Sequence, residues 1–383
     1  MPRRRQLLAW PVGLALSLNL APGLAGLARA STQPEGAPPL YPIRKGDLHG
    51  LIDRQGKVLL PAEFFKITLG DPLILVRKDN RTAFFDYLGK MRIEPQNAIR
   101  GPFRNGLAPS ALADAPNKKR WGYVNGENRA VIAAAYDSAE PFSDGLAVVG
   151  LLDAWGKLKF GAIERTGKLV LAAEHDKLLN PSGGTVRTEQ REQKPRIFDS
   201  AGKDITPPQI DFIGVAAEGM VRVWSARAHG FMTVQGVLTI APRFENANEF
   251  SEGLARVRQE GKYGFIDKIG KFAVEPRWSA AESFSDGLAL VREVAGGPQM
   301  FIDKSGNVAL RPQAERVSSF TEGLAVVRNG NKYGYMDKKG GLALEARFDF
   351  AAPFHQGLAY VNLGREAAYI TPQGAEVWRG PRA

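Results

Sequence analysis

The sequence predicts an all-β protein made of tandem repeats. Three observations carry that prediction: a hexapeptide that returns at a fixed period, turn residues that cut each period into three short runs, and apolar alternation that suits strands. Phe250-Ser251-Glu252-Gly253-Leu254-Ala255 returns as Phe284-Ser285-Asp286-Gly287-Leu288-Ala289, as Phe320-Thr321-Glu322-Gly323-Leu324-Ala325 and as Phe354-His355-Gln356-Gly357-Leu358-Ala359, its glycines 34, 36 and 34 residues apart. A period in this range marks small units that bury a core only by stacking on their neighbours.

One unit shows the elements in order. Leu324 to Arg328 is a first strand, and Asn329-Gly330-Asn331 supplies the positive φ of a tight hairpin. Lys332 to Asp337 is a second strand, Lys338 to Gly341 a turn, and Leu342 to Ala346 a third strand. The punctuation is that of a β-meander. The second turn recurs as Asp267 to Gly270, Asp303 to Gly306 and Asp337 to Gly340, where the Asp accepts backbone N–H bonds and the Gly takes the left-handed position. Following that glycine gives Gly56, Gly89, Gly126, Gly167, Gly202, Gly236, Gly270, Gly306, Gly340 and Gly374, hence about ten units.

Period-two alternation separates the faces. Ala325 and Val327, like Ala289 and Val291, point one way and form the expected packed face. The position between them varies (Val148, Arg256, Leu290, Val326, Tyr360) and is expected to face solvent or ligand. In the second strand aromatics flank a glycine: Tyr263-Gly264-Phe265, Tyr333-Gly334-Tyr335, Trp121-Gly122-Tyr123. The rings are read as packing between repeats, and the glycine as a point of close backbone approach.

Three strands and 34 residues predict an open, twisted, solenoid-like stack, with the first unit (41–65) and the last (357–382) as caps. A closed β-propeller is the alternative. Its blades normally have four strands and about 40–50 residues, which fits less well.

The pattern aromatic-Gly-[Phe/Tyr]-[Ile/Met]-Asp-x-x-Gly, followed by an apolar strand and Phe-x-[Glu/Asp]-Gly-Leu-Ala, resembles the WG (KWG) repeat family of bacterial proteins over about residues 41–380. It is clearest in the units ending at Gly270, Gly306 and Gly340. It is good around Trp121-Gly122-Tyr123 and weak across Leu151 to Val215, a divergent middle. The resemblance implies a β-repeat array with an interaction role. It implies no catalytic residues and no shared activity.

Residues 1–30 read as an export signal: Arg3, Arg4 and Arg5, an apolar run from Leu7 to Leu20, then Ala28-Arg29-Ala30 before the expected cleavage. The run is short for a bilayer span, so no membrane segment is expected after cleavage. Arg4-Arg5 leaves twin-arginine export open beside the general route. Residues 31–40 form a linker and 41–383 the array. The expected address is periplasmic or extracellular. The chain has no cysteine, which excludes thiol chemistry and disulfides. Net charge is +11, of which the signal's four arginines account for four; the remaining +7 favours anionic partners, though not nucleic acid at that address.

Chemistry is hard to find. There is no GxSxG, GxxxxGK[ST] or GxGxxG sequence, and no cofactor or metal is expected. The four histidines, His49, His175, His229 and His355, lie in different units without ligand spacing. The recurring Asp residues resemble glycosidase carboxylates, yet a repeated position argues for turn formation. One feature points to a ligand. Arg258, Arg292 and Arg328 hold the same place in consecutive units, with Arg256 on the same side of its strand, and a stacked arginine stripe would clamp carboxylate or phosphate. A solvated strand edge is the plainer reading. The expected function is a non-catalytic, exported scaffold that binds a partner protein. A binder of anionic envelope glycan or polymer is the alternative, and an envelope hydrolase the distant third.

Overall fold

The computed structural model describes residues 36–99, 101–115, 118–188, 194–208 and 210–382. The signal segment, and the linker up to residue 35, lie outside the described residues. Among the described residues every regular element is a strand, and the strands form ten separate antiparallel sheets. The count of ten units is therefore as expected. So is the meander: in the ninth sheet Leu324–Asn329, Lys332–Asp337 and Leu342–Phe348 pair in sequence order.

Several expectations are corrected. The first is strand number. Seven sheets have a fourth strand of two or three residues or more, such as Ala280–Ala281, Arg316–Val317 and Phe350–Ala351, paired to the first long strand. Two residues carry no readable period, so the sequence shows a linker there. The second is the face assigned to solvent. Val148, Leu290 and Val326 are as buried as Ala325 and Val327. Leu290 and Phe301 pack with Val317, Phe320, Ala325 and Val327 of the next sheet, while Ala289 and Val291 pack with Phe265 and Val274 of the previous one. Each sheet is thus a blade covered on both faces.

The apolar residues fall into ten clusters, one at each junction between neighbouring blades. The tenth joins the ends of the chain: Tyr41, Ile43 and Ile52 of the first blade pack on Leu358 and Tyr369 of the last. Tyr369 donates to the Pro42 carbonyl (2.7 Å) and Tyr41 to the Gln356 carbonyl (2.5 Å). The open stack is overturned. The fold is a closed ten-bladed β-propeller, and the end units are neighbours instead of caps. Closure hides two sheet faces that an open array would leave in water. Blades that radiate from an axis are closest near it. The first long strands, buried on both sides (Leu324 to Val327), therefore lie inward, and the alternately exposed third strands (Leu342–Phe348) form the rim.

Local chemistry explains the blade. The aromatic at the second place of the Aro-Gly-Aro run, kept as Phe301 where Gln299-Met300 replaces the aromatic and glycine, meets the Phe of the next repeat: Phe265–Phe284 and Phe301–Phe320 at 4.7 Å, Tyr123–Phe142 and Tyr335–Phe354 at 4.8 Å, in the tilted geometry that aromatic quadrupoles favour. The intervening glycine is needed because the bulged third strand crosses over it. A Cβ at Gly334 would lie 2.5 Å from the Leu344 carbonyl oxygen and 2.8 Å from the Ala346 nitrogen. The Asp turns are as read: Asp337 Oδ1 accepts from the Lys339 (2.9 Å) and Gly341 (3.0 Å) nitrogens. In the third blade the left-handed turn residue is Asn128 (φ 60°), not Gly126; Asn tolerates that conformation, so the glycine count landed two residues early.

The divergent middle, Leu151 to Val215, runs from the second and third strands of blade four through the whole of blade five to the start of blade six. Leu178–Ser182, Thr185–Thr188 and Ile197–Phe198 form a three-stranded sheet packed on both neighbours.

Candidate functional site

The arginine seat follows the first long strand. Arg258 stands opposite Tyr263, Arg292 opposite Gln299 and Arg328 opposite Tyr333, so blades seven, eight and nine carry the three at one equivalent edge, as the repeat predicts. Arg258 is exposed and pairs with Glu245 at 3.6 Å. Arg292 donates to the Gly297 carbonyl and Arg328 Nε to the Gly330 carbonyl (2.8 Å), both half-buried. Arg258 and Arg328 also lie over the Tyr263 and Tyr333 rings, 5.8 and 5.9 Å from the centroids.

Arg256 does not present itself with them. It shares their strand side, yet its guanidinium is taken into the junction of blades seven and eight. There it donates to the Ala281 carbonyl and to Asn248 Oδ1 (2.7 Å) and lies over Tyr263 at 5.0 Å. Arg187 of the fifth blade does the same, buried and donating to the Ile213 (2.9 Å) and Gly214 carbonyls. These arginines tie blades together.

Sequence reasoning missed Arg316. It lies on the short strand of blade nine, directly opposite Arg328. Like charges facing each other across an antiparallel pair repel. Burial, and then the Arg316 charge, hold the Arg292 guanidinium below its ordinary pKa. Only the short strand, invisible as periodicity, brings Arg316 into this group.

The recurring carboxylates are engaged elsewhere. Besides the Asp turns, the acid before each Phe-x-x-Gly glycine accepts from the next blade's turn: Gly287 N to Glu252 (3.0 Å), Gly323 N to Asp286 (2.5 Å), Gly357 N to Glu322 (2.8 Å). Lys304 and Lys338 then reach back to the Glu252 (2.8 Å) and Asp286 (2.6 Å) carbonyls. Across the closure the Arg54 guanidinium takes the lysine's place beside Gly357. His49 and His229 occupy the first-aromatic slot. Burial, then Arg44 and Arg222 respectively, depress their pKa values, as burial and Arg196 do for His175. Among the described residues no three His, Asp or Glu gather as a metal site, and no helix is long and apolar enough to cross a membrane. One large apolar side chain stands out in solvent: Trp155, 92% exposed at the tip of the fourth blade's hairpin.

The model of the WG-containing repeat matches this chain five times, at residues 121–153, 230–263, 263–293, 300–333 and 333–365. The chain carries WG-containing repeats. The matches fall on the clearest units of the sequence and omit residues 154–229, which hold most of the divergent middle. No curated protein matches the WG-repeat chain by sequence. Among solved structures it is similar to a eukaryotic initiation factor (11% identity, 80% of this chain and 94% of that one, TM-score 0.46). It is also similar to Kluyveromyces lactis Hsv2 (11%, 62% and 94%, TM-score 0.35) and to virginiamycin B lyase from Staphylococcus aureus (15%, 62% and 91%, TM-score 0.27). At such identities and scores nothing about activity transfers, and the ring stands on its own contacts.

Proposed function

We propose that this WG-repeat propeller is a non-catalytic, exported scaffold that binds a partner protein at the hairpin edge of its blades. One observation carries the reading. The recurring carboxylates that could suggest hydrolysis serve as turn and blade-to-blade acceptors, while the hairpin edge leaves Arg258, Arg316 and Trp155 to solvent. Trp and Arg are the residues most often found as binding hot spots, and a rigid ring orders them in advance. Export rests on the signal pattern of residues 1–30 and is tested by finding Ser31 at the amino terminus of the secreted chain.

Affinity capture from an envelope extract, washed at low and then high salt, tests the scaffold. A discrete protein held at high salt is expected. An anionic polymer that elutes as salt rises, with no protein retained, would overturn it in favour of the second reading, which the Arg258, Arg292 and Arg328 edge favours: an anionic envelope glycan or polymer.

A further inference from the structure

We propose that Arg292, Arg316 and Arg328 form a binding site for clustered carboxylates, the chemistry of an acidic segment on the partner protein. The proposal rests on the scaffold reading and names where and how such a partner is held.

Arg316 and Arg328 are direct cross-strand partners, and Arg292 stands at the equivalent seat of the adjoining blade. Opposed cations lower stability, so a neutralising acid is the usual companion. At three other places on this edge one is present, though not at the opposed Lys66 and Arg77 of blade two. Arg258 has Glu245, Arg120 has Asp137 at 2.8 Å and Lys332 has Asp349 at 2.6 Å, each acid standing just before a short strand. At the junction of blades eight and nine the arrangement fails. The equivalent seat in blade eight is the neutral Ser279. In blade nine it is Glu315, whose backbone nitrogen is held by Asn329 Oδ1 (3.3 Å). Among the described residues neither Glu315 nor the neighbouring Glu293 forms an ion pair with any of the three arginines, and no other carboxylate does.

The arginines are also ordered. Arg292 and Arg328 are fixed by the Gly297 and Gly330 carbonyls, and Arg328 by the Tyr333 ring, while each guanidinium keeps donors unused. A carboxylate accepts two parallel N–H bonds from such a fork. The three are divided between two blades instead of closing round one point. That suits several carboxylates on an extended segment better than a single phosphate. Binding would remove the repulsion that the free ring carries.

The test uses the full chain and a labelled deca-glutamate peptide, read by fluorescence anisotropy, with deca-glutamine as the control. The native chain should bind the glutamate peptide and not the glutamine one. Arg316→Gln with Arg328→Gln should weaken it about tenfold or more, whereas exposed Arg129→Gln should leave it unchanged. Arg316→Gln alone should hold or raise the melting temperature, since it relieves repulsion. Undiminished peptide binding by the double variant, a melting temperature that falls with Arg316→Gln, or tripolyphosphate competing better than the peptide at equal charge would each overturn the proposal. Failure here with a salt-resistant partner in the capture experiment would remove the site and leave the scaffold standing.

Discussion

At the residue scale the repeat is written by a few positions with single physical jobs. Gly334 exists because Leu344 and Ala346 backbone atoms cross over it. Gly334→Val should cost about 3 kcal/mol or more through forced backbone shift, and an unchanged melting temperature would refute that packing. His49 and His229 replace an aromatic at a half-buried seat beside Arg44 and Arg222. Their folded pKa values lie below the unfolded value, so the unfolded chain takes up protons first as pH falls. Stability is therefore full above about pH 6.5 and declines as pH drops below it. The check is the melting temperature at pH 7.5 and 5.5 for the native chain and for His49→Tyr with His229→Tyr. The variant should lose less on acidification; equal losses would contradict the assignment. The glycines, aromatics and turn Asp residues were legible because each recurs at one fixed place in the repeat, the turn Asp as Asp53, Asp86, Asp199, Asp267, Asp303 and Asp337. Arg316 was not, since it occurs once and its neighbours are fixed by pairing.

At the scale of the blade, the junction is the unit of stability. Phe284 illustrates it: 1% exposed, 4.7 Å from the Phe265 ring, and packed with Val274, Val291 and Ile302 from two blades. Phe284→Ala should cost about 3–5 kcal/mol and lower the denaturation midpoint. A loss under about 1 kcal/mol would mean the blades do not depend on this ring stack. The meander was readable from its turns. The short fourth strand was not, because two residues such as Ala280–Ala281 have no period, and their pairing with Ala289–Arg292 of the same blade is fixed only once the chain folds back. Nor was burial of the second face: Leu290 and Val326 look like an ordinary variable position until the next blade is placed over them.

For the whole molecule, the difference between an open stack and a ring lies in contacts separated by more than 300 positions, such as Tyr369 to Pro42, which no local pattern encodes. The arginine edge needs only that consecutive blades lie side by side, which brings Arg292 of blade eight beside the Arg316–Arg328 pair of blade nine. The absence of cysteine makes the deciding measurement simple, since spin labels can be attached at two introduced cysteines without interference. Labels at the exposed tips Asp47 and Arg365, on the first and last blades, should report the same separation by pulsed dipolar spectroscopy as labels at Asn331 and Arg365 on adjacent blades. An open array stacked at about 10 Å per sheet would place Asp47 and Arg365 about 90 Å apart, and that result would contradict the closed ring.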